Sequence, residues 1–263
     1  GTNGSSMSGI NVYNNYYYGN WGTCPTGFIF VEGGASSTPS HMQSSAWWNN
    51  VFVVGSNVVT NTNGWFDLTS GESGTQQVYN NSFVGYGSGA DNTLCYGMEN
   101  LSAVTFENNS SYQCGNPLSL QGTTPGSATV DYNFYGNYTC ANYGNCFINQ
   151  SGGFVGSFSA WKNYCSCDRH SLQNNSTLFG SSGAPDSGSP NIEQGANLSS
   201  LATGNLSALS NDTSEGDTRT PLNRPPGNCS AQGTPSCWDI GAYQYSASAQ
   251  PPSPPTGLSA SVQ

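Results

Sequence analysis

The sequence predicts an all-β solenoid, a coil of short strands stacked rung on rung, and three observations predict it. The first is a phrase that returns along the chain: VYNN at 12–15, WWNN at 47–50, VYNN at 78–81, FENN at 106–109, VDYN at 130–133 and AWKN at 160–163. Its closing residues, Asn15, Asn50, Asn81, Asn109, Asn133 and Asn163, recur every 24 to 35 residues. Repeats of that length belong to stacked architectures whose loops vary in length. Asn suits a turn in such a coil, because it tolerates left-handed backbone and its amide can bond the Asn above and below. The second observation is the residue two positions on, which is Tyr17, Phe52, Phe83, Ser111, Tyr135 or Cys165. The third is pattern: apolar residues alternate or cluster in runs such as VFVV and GFIFV bounded by Gly and Asn, as strands require. No amphipathic helix of useful length is expected before about residue 192.

Three regions follow in order. Residues 1–179 carry the rungs. Residues 180–246 form a Gly/Ser/Pro-rich wrap with one weak helical patch around IEQGANLSSLATGNLSAL, closing on WDIGAYQY, read as a last strand. Residues 247–263 combine a proline-rich linker, SASAQPPSPP, with TGLSASVQ, which alternates like a single strand.

Charge narrows the partners. The 263 residues include only four cations, Lys162, Arg169, Arg219 and Arg224, for a net charge of −10. Nucleic acid and anionic membranes both need a basic footprint, so neither is an expected partner. No apolar stretch approaches the roughly 20 residues of a membrane span. The chain opens on GTNGSSMSG, without a starter Met or a signal-peptide core, and is read as a processed or excised segment.

Nine cysteines with a single lysine indicate an oxidising compartment. Cys229 and Cys237, and Cys140 and Cys146, each bracket a short loop that a disulfide would close at little entropic cost. Cys95 and Cys114 lie about one rung apart. Cys165 and Cys167 share a strand face and are free to meet Cys24 or a neighbouring rung. The stretch CSCDRH at 165–170 offers zinc ligands, but disulfide chemistry is favoured there, so neither metal nor cofactor is expected. Thirteen N-x-S/T sequons fit either a glycosylated surface or stacked Asn and Ser/Thr in turns.

The end of the domain carries a family resemblance. SPNIEQG at 189–195, DTR at 217–219, RPP at 224–226 and DIGAYQY at 239–245 resemble the closing signature of bacterial secreted right-handed parallel β-helix proteins of the choice-of-anchor type. The chain departs from that pattern at Asn191 and Glu193 and in the loop NCSAQGTPSC before Trp238. The resemblance implies a right-handed parallel β-helix with a C-terminal cap, from a cell exterior; the extended tail strand is read from the alternation in TGLSASVQ. It implies no single activity.

A glycoside hydrolase on such a scaffold needs two carboxyls facing one groove, and a lyase needs a base with a calcium-binding cluster. The carboxylates are scattered singly. Lys162, Asp168, Arg169 and His170 form the one grouping of acid, base and cation, with Asp131 within reach one rung away. Asp217 and Asp239 with Arg219 and Arg224 suit a structural ion-pair knot under the cap. Tyr16, Tyr17 and Tyr18 in one strand, and Trp47 and Trp48 in another, cannot all face inward, so some are left to stack on glycans or on another subunit. The expected role is an extracellular structural or cell-surface protein that self-associates through its tail and helix ends, with a polysaccharide-active enzyme or glycan-binding adhesin as the alternative.

Overall fold

The computed structural model describes residues 8–19, 29–32, 44–54, 66–69, 74–85, 94–123, 126–138, 140, 146–175, 183–214, 216 and 220–245. The chain is all-β in its body and forms three mainly parallel sheets. Successive strands pass to successive sheets, so strand n pairs with strand n+3. Sheet one contains β1 (Ile10–Tyr13), β4 (Ser45–Trp48), β7 (Thr75–Tyr79), β10 (Ala103–Glu107) and β13 (Ala128–Asp131). Sheet two contains β2 (Tyr16–Gly19), β5 (Val51–Val54), β8 (Ser82–Gly85), β11 (Ser110–Tyr112), β14 (Phe134–Gly136) and β17 (Leu172–Asn174). Sheet three contains β3 (Ile29–Glu32), β6 (Phe66–Thr69), β9 (Leu94–Glu99), β12 (Asn116–Ser119), β15 (Phe147–Ile148) and β16 (Phe154–Val155), the last pair antiparallel.

Alternation sends one residue set from each sheet into a shared core. Trp47, Val78, Phe106 and Val130 come from sheet one, Phe52, Phe83 and Tyr135 from sheet two, and Phe66, Tyr96, Leu118 and Phe147 from sheet three. Each such side chain contributes about 1.5–3 kcal/mol by leaving water.

The NN pair divides its labour. The first member takes the left-handed turn: Asn14, Asn49, Asn80 and Asn108 have φ of 53°, 55°, 49° and 58°, and Tyr132 follows at 54°. The second member builds the ladder, with Asn15, Asn50, Asn81 and Asn109 each donating Nδ2 to the Oδ1 of the next at 2.9, 3.0, 2.9 and 3.4 Å. Asn133 receives the last of these.

Asn163 does not continue the ladder. Residues Phe158–Cys165 form helix α1, started by Ser157, whose hydroxyl accepts the Ala160 amide at 3.1 Å. Phe158 and Trp161, three apart on one helical face, are buried, and Trp161 stacks on Phe147 with centroids 5.0 Å apart. A helix therefore closes this end of the core where a sixth strand was expected. Ser171 completes the ladder, its Oγ accepting the Asn133 amide at 2.7 Å.

Four disulfides join Cys95 to Cys114, Cys140 to Cys146, Cys165 to Cys167 and Cys229 to Cys237. Cys165 and Cys167 thus bond each other across Ser166, which is left-handed at the end of α1. Cys24 lies outside the described residues, as do Asp217, Arg219 and the tail at 247–263.

The wrap covers the outsides of sheets one and two. Its helical patch is a 3-10 helix at Gly204–Ser210. Leu198, Leu209 and Trp238 bury Trp48 and Tyr79, whereas Ile240 packs on Val84 and Phe134, and Ala242 and Tyr243 on Val51 and Val53. WDIGAYQY is not a strand. It makes one isolated antiparallel bridge, Gly195 to Trp238. Gly241 sits at φ 112°, and the amides of Gly241 and Ala242 turn instead to the Asn108 carbonyl and the Ser82 hydroxyl.

Candidate functional site

The repeat offset that fixes the ladder also fixes a column on the outer face of sheet one. Tyr13, Trp48, Tyr79, Glu107 and Asp131 each lie two residues before a ladder Asn and sit side by side in register. At one end Tyr13 stacks on Trp48 at 4.4 Å, nearly coplanar, and remains 44% exposed. At the other end Glu107 and Asp131 occupy neighbouring strands, whose spacing of about 4.8 Å brings two carboxyls close together.

Burial first, and the negative charge of Asp131 second, push the Glu107 carboxyl above the usual carboxylate range. Burial and the Glu107 charge in turn raise the Tyr79 phenol. Asp131 is held differently: its Oδ1 accepts the His170 amide at 2.7 Å, and its Oδ2 meets His170 Nδ1 at 2.7 Å. This is an ion pair when the imidazole carries its second proton. Tyr132, in its left-handed turn, stacks on the His170 ring at 4.6 Å. Gln232 in the wrap reaches the His170 carbonyl at 2.7 Å, tying this corner to the C-terminal segment.

Asp131 and His170 are therefore together, but the rest of the expected cluster is not. Asp168 is fully buried and plugs the core, its carboxylate accepting from Asn133 Nδ2 at 3.1 Å, Tyr135 Oη at 2.9 Å, Trp161 Nε1 at 2.7 Å and Ser171 Oγ. Burial raises its pKa, and those donors oppose the rise. Such a group is structural, because its acceptor sites are already taken. Lys162 lies on α1, its Nζ 5.0 Å from the Phe158 ring centre. Sequence reasoning missed Glu107 although it shares the repeat offset of Asp131.

The aromatic candidates also separate. Trp47 faces the core, its Nε1 donating to Ser45 Oγ at 2.6 Å, and Trp48 faces outward but lies under the wrap. Neither is a surface platform. Tyr17 stacks on Phe52 at 4.9 Å, Tyr16 is half-buried beside Val51, and Tyr18 is 54% exposed. Tyr13 is an exposed ring that sequence reasoning passed over, as are Phe154 and Tyr164.

A second row crosses the same face in register: Asn11, Ala46, Gln77, Thr105 and Thr129. Where it meets the 3-10 helix lies an open depression of roughly 290 Å³, at the small end of the ~300–1,000 Å³ of ligand sites.

The expected ion-pair knot takes another form among the described residues. Arg224 is buried over the Trp238 ring and donates to the carbonyls of Gly241 and Ala242 at 3.0 Å each. The Asp239 carboxylate accepts the amides of Glu193, at 2.7 Å, and Tyr245. Among the described residues no group of three or more His, Cys, Asp or Glu is placed to hold a metal ion. No described helix is long and apolar enough to cross a membrane. Searches against protein-family profiles, curated proteins and solved structures return no match to this chain.

Proposed function

We propose that this chain is an extracellular surface protein wound as a right-handed parallel β-helix, and that its role is structural: a stiff, disulfide-stapled rod. The observation that carries this reading is the n to n+3 strand pairing repeated in all three sheets. Parallel strands in one sheet joined by a crossover wind right-handed in about 98% of cases. The resemblance of DIGAYQY and SPNIEQG to choice-of-anchor β-helix proteins points the same way, and those two segments dock on each other through Asn191, whose Nδ2 donates to the Ile240 carbonyl at 2.6 Å. Four disulfides favour an oxidising exterior. Buried Asn80, Asn108 and Asn109 all lie within sequons, which supports turn-building as the reason for part of that excess.

The tail at 247–263 is proposed as the strand that joins one copy to the next. Deleting it should leave a folded monomer while the full chain sediments as a polymer; equal sedimentation of the two would remove the filament role. Protease treatment of intact source cells should release the protein. Its recovery only after lysis would rule out a surface location.

The Glu107–Asp131 pair specifically favours a second reading, a polysaccharide-active enzyme. Neighbouring strands set the two side chains on the order of 5 Å apart, the separation a retaining glycosidase uses, and burial that raises the Glu107 pKa favours its acid form, as a general acid requires. Reducing-end release from neutral polysaccharides, abolished by Glu107→Gln and by Asp131→Asn, would establish it and displace the structural reading. No release by the unaltered protein would dismiss it.

A further inference from the structure

We infer that the depression on the outer face of sheet one binds a neutral glycan, with Tyr13 as its stacking platform. The inference stands apart from the structural role and from any catalysis at Glu107.

The lining is uncharged throughout. Side chains from β1, β7 and the 3-10 helix, namely Asn11, Gln77 and Asn205, bring amides to it, and Thr203 and Ser44 bring hydroxyls. Ala46 and Leu206 supply its apolar surface. An amide offers donors and an acceptor side by side, which matches the hydroxyls of a sugar ring, whereas nothing in the lining can neutralise a carboxylate, sulfate or phosphate. The net charge of −10 adds a general repulsion for acidic chains. A neutral glycan is the class that remains.

Tyr13 sits two residues along β1 from Asn11 and therefore on the same face. One side of its ring rests on Trp48, which Leu198, Leu209 and Trp238 hold in place, so the platform is rigid before a ligand arrives. Rigid aromatic surface loses little entropy on binding, and this ring keeps 44% of its area open. Away from the depression the row continues through Thr105 and Thr129, one hydroxyl per strand at intervals of about 4.8 Å. Ala46 aside, a polymer lying across the strands would meet a hydrogen-bonding side chain on each strand of the row, so an oligosaccharide fits this face better than a single sugar.

The experiment titrates the full chain with neutral hexasaccharides built from glucose, xylose or mannose and with hexagalacturonate, following side-chain amide signals by NMR. At least one neutral hexasaccharide should shift the Asn11, Gln77 and Asn205 amides in a saturable way, and hexagalacturonate should not. Tyr13→Ala should weaken that binding roughly tenfold and Tyr13→Phe should restore it, since the ring face does the work. Tyr164→Ala, an exposed ring on α1, should leave it unchanged. Circular dichroism and amide spectra of each variant report its fold. Absence of saturable shifts with every neutral hexasaccharide at millimolar concentration would overturn the inference. So would equal affinity for hexagalacturonate, or Tyr13→Ala binding as tightly as the parent while folded.

Discussion

Removing Asn81 should cost far more than removing Asn15, although both occupy the same place in the repeat. Asn81 is fully buried, and its Nδ2 donates to the carbonyls of Trp47 at 3.0 Å and Tyr79 at 3.1 Å and to Asn109 Oδ1 at 2.9 Å. Its Oδ1 accepts both the Asn50 amide and Asn50 Nδ2 at 3.0 Å. After Asn81→Ala the Asn50 side chain still reaches the Val12 carbonyl, but the buried Asn50 amide loses the acceptor it now uses. An orphaned buried donor costs about 1–3 kcal/mol and each lost bond about 1 kcal/mol, which together give roughly 3–5 kcal/mol. Asn15→Ala orphans no buried amide, since Asn50 Oδ1 keeps its bond from the Asn15 amide at 3.2 Å, so about 1 kcal/mol is expected there. Denaturant unfolding with disulfides intact, fitted with a common slope, measures both. A loss below about 1 kcal/mol for Asn81→Ala, or equal losses for the two variants, would refute the ladder as a main source of cohesion.

Other consequences are equally open to measurement. Ser111 points into the core between Phe83 and Tyr135 with no partner for its Oγ among the described residues, so Ser111→Ala should raise stability by about 1 kcal/mol in the same unfolding assay. Asn108 holds the wrap with both amide atoms, to the Ala196 carbonyl and amide at 2.8 Å each; Asn108→Gly keeps the left-handed turn and should selectively speed amide hydrogen exchange near Ala196. Asp239 is buried and its pKa is raised from 3.8 to about 6. A raised folded pKa stabilises the protein below the unfolded value and the gain is lost as pH climbs through the folded one. Stability should therefore fall by about 2 kcal/mol between pH 4 and pH 7, with burial of Glu107 and Asp168 acting in the same direction. Asp239→Asn should flatten that slope, and an unchanged slope by thermal unfolding across this range would assign it elsewhere.

The ladder was legible because every rung places the same residues at the same offset, so alternation and the Asn turn could be seen without coordinates. Glu107 was legible by the same offset and was overlooked because FENN was aligned on its Asn and not on the residue before the pair. α1 was hidden for a physical reason: AWKN imitates the repeat, and eight residues hold too few turns to display helical periodicity. The wrap was illegible in detail because Leu198, Leu209 and Trp238 follow no local period. Their partners, Trp48 and Tyr79, lie more than a hundred residues earlier. The second NN function, gripping the wrap through Asn49 and Asn108, depends on that same distant contact.

The most direct test of the account is the pattern of interstrand backbone contacts in solution. Nuclear Overhauser effects on the isotope-labelled chain should link Val12 to Trp47, Trp47 to Val78, Val78 to Phe106 and Phe106 to Val130 in the parallel pattern, with the Nδ2 protons of Asn50, Asn81 and Asn109 exchanging far more slowly than those of exposed Asn11 and Asn205. Antiparallel contacts among these strands, or ladder amides that exchange as fast as the exposed ones, would contradict it.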